Sequence, residues 1–346
     1  MRKSSAFLKK STITSVIGFL LYFIIELTTT FIHTEKPLPA SDGSIELFSN
    51  QTQDDLTHLY VSSIDSAKES VLLVIYSLTD PQVLQALKRK TEASIPVSVV
   101  CDAKASRNIA KNIPLATVVK RSGEGLTHQK ILIIDRKRIL LGSANLTRES
   151  LQNYGNLVAS FDHPALADIL SHKVASMDDE GHSASYPHIE TQLLNQHVEL
   201  SLLPDDTHAV QRIIQQIRTA KKTIKVAMFT WTRHDLAREI VDAASRGVKV
   251  EIVIDRYSGR GASAPIVKLL NKADIPIRLY SGKGLLHHKF AYIDESVLIQ
   301  GSANWTLSAF TKNDDCIMIL YPLTPPQQNK MNQLWKAIDK QSIRAD

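Results

Sequence analysis

The stretches "THQKILIIDRKRILLGSANLT" (127–147) and "HHKFAYIDESVLIQGSANWT" (287–306) carry one pattern, His-x-Lys-x4-Asp-x6-Gly-Ser-x-Asn, once in each half of the chain. Its fixed positions are His128, Lys130, Asp135, Gly142, Ser143 and Asn145 in the first copy. In the second they are His287, Lys289, Asp294, Gly301, Ser302 and Asn304. One match is open to chance. Two with identical spacing point to a duplicated module that brings two histidines to one site.

The duplication reaches beyond the motifs. Ile45-Glu46-Leu47 matches Val198-Glu199-Leu200. "SAKESVLLVIYSLT" from Ser66 matches "TAKKTIKVAMFTWT" from Thr219, and "VSVVCD" ending at Asp102 matches "VEIVID" ending at Asp255. Each pair lies 153 positions apart. The motif histidines lie 159 apart, so the second half carries six extra residues around "RYSGRGASAP" (256–265). Each half reads as a short extended piece, then helix, strand, helix, strand and a motif strand pair. Pro81 suits the first turn of a helix, and Gly247 after Arg246 suits a helix end. Strands alternating with helices predict parallel pairing, and continuous Val/Ile/Leu runs predict strands covered on both faces. The expected fold class is therefore α/β: two repeated, layered halves packed together with the active site at their interface. The first half spans 45–175 and the second 198–346, joined by a polar connection over 176–197.

Charge and cysteine content narrow the chemistry. The net charge of +6 suits a phosphate-bearing partner, nucleic acid or anionic lipid. The two cysteines, Cys101 and Cys316, sit in apolar runs as buried thiols do. There is no C-x-x-C, and the histidines outside the motifs show no metal-ligand spacing, so no metal site and no cofactor are expected.

Residues 1–33 differ in kind. Arg2, Lys3, Lys9 and Lys10 precede an apolar run from Ile13 to Ile25. That order reads as a signal peptide or an N-terminal membrane anchor, although a spanning helix needs roughly 20 apolar residues. Residues 34–44 read as a linker. On this reading the protein is exported, either secreted or membrane-anchored through the apolar segment.

The motif spacing has a physical reading. His128 and Lys130 are two apart on a predicted strand, as are His287 and Lys289, so each imidazole shares a face with an ammonium. Asp135 and Asp294 begin polar turns, and antiparallel return strands bring Asn145 and Asn304 back towards the histidines. A phosphodiester is anionic and slow to hydrolyse, so a catalyst must stabilise charge and protonate the leaving oxygen. Lysines supply the charge, while Asn145, Asn304, Ser143 and Ser302 offer donors for phosphate oxygens. Acidic candidates to orient a histidine are Asp314 and Asp315 in the second half, Asp315 foremost, and Glu149 in the first. Asn156 occupies the place that corresponds to Asp315, so the two imidazoles need not be equivalent.

The paired motifs resemble those of the phospholipase D superfamily, whose hallmark is the doubled HKD sequence, and the resemblance covers about Ile45 to Leu320. It implies a metal-independent phosphodiesterase with a phosphohistidine intermediate. It also implies His128, Lys130, Asp135, His287, Lys289 and Asp294 as motif residues, with His128 the nucleophile and His287 the acid. The distance of the aspartates from the histidines along the chain favours a structural or indirect role for them. Two half-modules in one chain remove the need for a homodimer, so a monomer is expected.

Within that chemistry a phospholipid hydrolase ranks first, because the N-terminal apolar segment would associate the site with a membrane. An endonuclease acting on DNA or RNA is the alternative favoured by positive charge and the compact two-motif layout. A cardiolipin synthase-type phosphatidyltransferase ranks below both, since those enzymes resemble longer chains. Both motif copies are complete, which disfavours a degenerate binding protein.

Overall fold

The computed structural model describes residues 43–345. The apolar N-terminal run and most of the linker lie outside the described residues. Two mixed sheets organise the chain. The first contains β1 (Glu46–Phe48), β2 (Val71–Ile75), β3 (Val97–Asp102), β4 (Thr117–Arg121), β5 (Lys130–Ile134), β6 (Arg138–Gly142) and β7 (Val158–Asp162). Their spatial order is β1-β7-β6-β5-β2-β3-β4. The second contains β8 (His188–Leu193), β9 (Gln196–Leu203), β10 (Thr223–Met228), β11 (Lys249–Asp255), β12 (Ile277–Tyr280), β13 (Lys289–Ile293), β14 (Val297–Gly301), β15 (Asp315–Tyr321) and β16 (Ser342–Arg344). Its order is β16-β12-β11-β10-β13-β14-β15-β9-β8. Residues 188–193, within the segment read from sequence as a connection, thus form an edge strand of the second sheet.

The expected parallel pairing holds for β2–β3–β4 and β10–β11–β12, where helices make the crossovers. The motif hairpins add antiparallel strands to both sheets. Alternation along the motif strands explains their unbroken apolar character. Ile131 and Ile133 of β5 share a core with Phe290 and Tyr292 of β13, between the two sheets. Their neighbours Leu132 and Ile134 pack instead with the helices Leu56–Ser66 and Pro81–Glu92. On the other side, Ala291 and Ile293 pack with the helices Ala209–Thr219 and His234–Ser245. Every face of these strands is buried, so no polar alternation is needed.

The extra residues of the second half form the helix Arg256–Arg260 and lead into the helix Ala264–Lys272. Asp255 secures this insertion. One carboxylate oxygen accepts from the N–H groups of Tyr257 and Ser258, and the other accepts from Leu286 N–H, next to His287.

Candidate active site

The two motifs meet across a local pseudo-twofold axis. Thr127 bridges Asp314, and Gly155 bridges Leu286. These contacts are equivalent under the 159-residue offset, and each joins one half to the other. His128 N–H donates to Asp314 O at 2.8 Å, and Gly155 N–H to Leu285 O at 2.8 Å. Each histidine therefore rests on a segment of the opposite half.

The same crossing sets their side-chain partners. His128 Nδ1 lies 2.8 Å from Asp315 Oδ1. Asp315 is fully buried and accepts a second bond, at 2.6 Å, from the Ser302 hydroxyl. His287 Nδ1 lies 3.0 Å from Asn156 Oδ1. Asn156 is also fully buried, and its Oδ1 accepts from Ser143 Oγ at 2.8 Å. Its amide nitrogen donates to Ser150 O, so the hydrogen-bond network assigns the oxygen to His287. Both histidines thus carry their proton on Nδ1 when neutral, leaving an Nε2 lone pair on each.

One imidazole leans on a carboxylate and the other on a neutral amide. Burial lowers the pKa of His128, while Asp315 opposes the shift. Burial lowers that of His287 well below the ordinary value, helped by the charges of Lys289, Lys130 and His128. The titration of His287 is thereby coupled to charged groups of both motifs. Burial lowers Lys130 to about 7, against the pull of Asp315. Lys289 is held well below its usual value by burial and by Lys130. Asp315 stays below the usual carboxylate range, because His128, Lys130 and Ser302 outweigh the upward effect of its burial.

An aromatic ring at matching positions completes each half-site. Tyr76 lies 5.4 Å from the His128 ring and 5.4 Å from Lys130 Nζ. Phe229 lies 5.2 Å from the His287 ring and 5.0 Å from Lys289 Nζ. Each lysine also donates to the carbonyl of its own histidine, which fixes its direction and leaves two N–H groups for a ligand.

Several expected site residues fall elsewhere. Asp135 and Asp294 lie at the far end of the motif strand, roughly 16 Å from the lysine at about 3.3 Å per residue. Each opens a turn whose two central residues have positive φ, Asp135 and Arg136 at 52° and 50°, Asp294 and Glu295 at 51° and 56°. Asp135 accepts N–H bonds from Lys68, Glu69 and Ser70. Asp294 accepts the equivalent three from Lys221, Lys222 and Thr223. They clamp the hairpin to the preceding loop and do not reach the histidines.

Ser143 and Ser302 are corrected from phosphate donors to positioning groups. Each hydroxyl spends its single proton on Asn156 or Asp315 and accepts the N–H of Leu157 or Cys316. Glu149 is corrected as well: it is exposed in the helix Arg148–Gln152, and Asn156 holds the place beside His287. Gly142 and Gly301 serve strand packing, since an added Cβ would sit 2.1 Å from Leu157 O or 2.2 Å from Cys316 O. Asn304 Oδ1 accepts from Thr230 N–H at 3.3 Å, and Asn145 N–H donates to Ser150 Oγ at 3.0 Å. Trp305 is core, edge-on to Trp231 at 4.6 Å. His288 faces away from the motif pair, as the strand period requires, and bonds Gln51 at 2.6 Å. Arg121 went unnoticed in the sequence. It is buried, paired with Asp314, and donates to the carbonyls of Asp178, Gly181 and His182.

With this geometry in view, comparison with known proteins is direct. A family model described as "Cardiolipin synthase, PLD-like domain" matches residues 60–177 and 213–336. The chain belongs to the phospholipase D superfamily. It is similar to the mitochondrial cardiolipin hydrolase of Xenopus laevis, 30% identical over 40% of this chain and 66% of that protein. The human protein of the same name is 34% identical over 34% of this chain and 46% of its own length. The chain therefore spans only about half to two thirds of these relatives. In fold it is similar to the phosphatidylserine synthase of Haemophilus influenzae, with a TM-score of 0.63 at 14% identity over 87% of both chains. A polyphosphate kinase from Porphyromonas gingivalis gives 0.61 at 14% identity, over 88% of this chain and 48% of that one.

The chain is built as two repeated halves in a mixed α/β fold of that superfamily. The expectation of an exported or membrane-anchored protein is overturned. The similar hydrolases carry the name mitochondrial, and among the described residues no helix is long and apolar enough to cross a membrane.

Proposed function

We propose that the chain hydrolyses a phospholipid phosphodiester through a phosphohistidine, with His128 as nucleophile and His287 as general acid and then base. The crossed pairing of His128 with Asp315 and His287 with Asn156 carries this reading. Attack by His128 Nε2 on phosphorus forms an N–P bond and places positive charge on that imidazole. A buried carboxylate stabilises this charge more than an amide does. The departing oxygen takes its proton from His287. Neutral His287 then removes a proton from water, whose oxygen displaces His128 and releases the phosphate monoester.

The free site is short of negative charge: burial lowers the pKa of both lysines although the buried carboxylates Asp315, Asp102 and Asp255 pull the other way. A phosphodiester anion offsets that imbalance and raises the pKa values of His287, Lys130 and Lys289 together. Substrate binding itself thus protonates the acid it needs. Lys130 and Lys289 hold the non-bridging oxygens as point charges, and Asn145 and Asn304 add amide donors.

The names of the similar hydrolases support a lipid substrate, cardiolipin first. So do two exposed leucines on the segments that carry the motif residues, Leu126 (41% exposed) two before His128 and Leu307 (65%) three after Asn304. The test is to incubate the purified full chain, in excess chelator, with cardiolipin, phosphatidylcholine and single-stranded DNA. Release of phosphatidate supports the proposal. Nicked polynucleotide with inert lipids would replace it with a nuclease, and phosphatidyl transfer to added glycerol with a transferase.

A further inference from the structure

The β8–β9 hairpin carries one triplet on both strands, His188-Ile189-Glu190 and His197-Val198-Glu199. Residues two apart share a strand face, and the register places Glu190 directly opposite Glu199. Like charges there repel. Among the described residues neither carboxylate has a Lys or Arg ion pair. Their neighbours are two imidazoles, His188, with Nε2 3.0 Å from Glu190 Oε1, and His197, with Nε2 3.8 Å from Glu199 Oε1. One ligand atom each from His188, Glu190 and Glu199 lies within 4.8 Å of the others.

The surrounding side chains hold this cluster in place. Tyr321 Oη donates to Glu199 Oε1 at 3.0 Å, and its ring lies 4.9 Å from that of His197. His188 Nδ1 is buried without a hydrogen-bond partner and faces Asp206 Oδ2 at 3.8 Å. Asp206 is itself fixed by Ser201 Oγ, His208 N–H and Arg212 Nε. A ligating imidazole gives one nitrogen to the ion and its other N–H to a carboxylate or similar acceptor. His188 between Glu190 and Asp206 has that layout.

We propose that this hairpin binds a divalent transition metal of the zinc type. His188, Glu190 and Glu199 are the ligands, His197 is within reach as a fourth, and Asp206 and Tyr321 orient them. One or two imidazoles with two carboxylates suit Zn²⁺, and the absence of thiolates among the ligands disfavours softer ions. The ion would neutralise the facing glutamates and pin the edge strand of the nine-stranded sheet. The proposal is independent of the phosphodiester chemistry, because it uses none of the motif residues.

The test strips the full-length protein with chelator, dialyses it, and titrates ZnCl₂ alone by calorimetry and CoCl₂ by visible absorption. One equivalent per chain is expected, with a rise in melting temperature. His188→Ala and Glu199→Gln should each weaken binding at least 100-fold. Tyr321→Phe should weaken it about 10-fold, in line with loss of an outer partner. His287→Ala, folded as judged by circular dichroism, should bind as the wild type does. Should His188→Ala misfold, Glu199→Gln, a near-isosteric change, decides alone. The proposal is overturned if folded wild-type protein binds no zinc, if Glu199→Gln binds it unchanged, or if His287→Ala abolishes binding.

Discussion

Replacing Asp315 by asparagine removes one buried charge while keeping the side chain's shape, and makes the His128 half-site resemble the His287 half-site. The lost bond is a charge-assisted one of 2.8 Å at a fully buried carboxylate. Hydrogen bonds of that class contribute roughly 1.5–3 kcal/mol. Unit charges about 4–5 Å apart at an effective dielectric of about 20 attract by roughly 3–4 kcal/mol. That attraction is fully developed only when His128 becomes cationic on attack. The rate should fall by about 2–4 kcal/mol of barrier, or about 30- to 1000-fold. Because Asp315 raises the His128 pKa, the imidazole of the variant should also titrate at lower pH. Single-turnover kinetics and an NMR titration of His128 measure the two effects on protein checked for native melting. A rate within about threefold of wild type, or an upward shift of His128, would refute the assignment of Asp315.

Other expectations follow from the same contacts. Lys130, lowered to about 7 in the free protein, loses its charge as pH rises through that value; KM should climb above about pH 7 while kcat, set by the phosphate-bound state, changes less, as a pH series of initial rates would show. Asp135→Ala should remove the clamp on Lys68, Glu69 and Ser70 at a cost of about 1–2 kcal/mol, read by denaturant melts, with kcat unchanged. Because its folded pKa is depressed, that contribution is fully present above the unfolded carboxylate value near ~3.9 and is lost as pH falls through the folded value. Arg121→Met leaves Asp314 without its cation in a mostly buried site and should destabilise the fold by roughly 3–5 kcal/mol, a loss visible in the same melts.

Much of the architecture is legible in residues alone, because repetition supplies a second reading of most elements. The 153-residue offset aligns Tyr76 with Phe229, and the 159-residue offset aligns Asn156 with Asp315, both before any coordinates. Strand periodicity places His128 with Lys130 and turns His288 away. What repetition does not carry is which half serves which. Asp315 lies in the second half yet orients the histidine of the first, and only the packing of the halves decides that. Glu149 is an acidic candidate by sequence in the first half, but it lies exposed in a short helix, and Asn156 stands beside His287. Ser143 and Ser302 suit phosphate binding by chemistry, yet their hydroxyls donate to Asn156 and Asp315. The paired His-x-Glu triplets were missed because strand pairing, not linear spacing, brings them together.

On the proposed mechanism, imidazoles from both halves act on one phosphorus, with distinct tasks. A p-nitrophenyl phosphodiester tests it most directly, since its leaving group needs no protonation. With such a substrate, His287→Ala should release one equivalent of p-nitrophenol per chain and stall with phosphorus bound to His128, found by mass spectrometry of the quenched protein. His128→Ala should release none. A burst from His128→Ala, an adduct on His287, or sustained turnover by either variant would contradict the account.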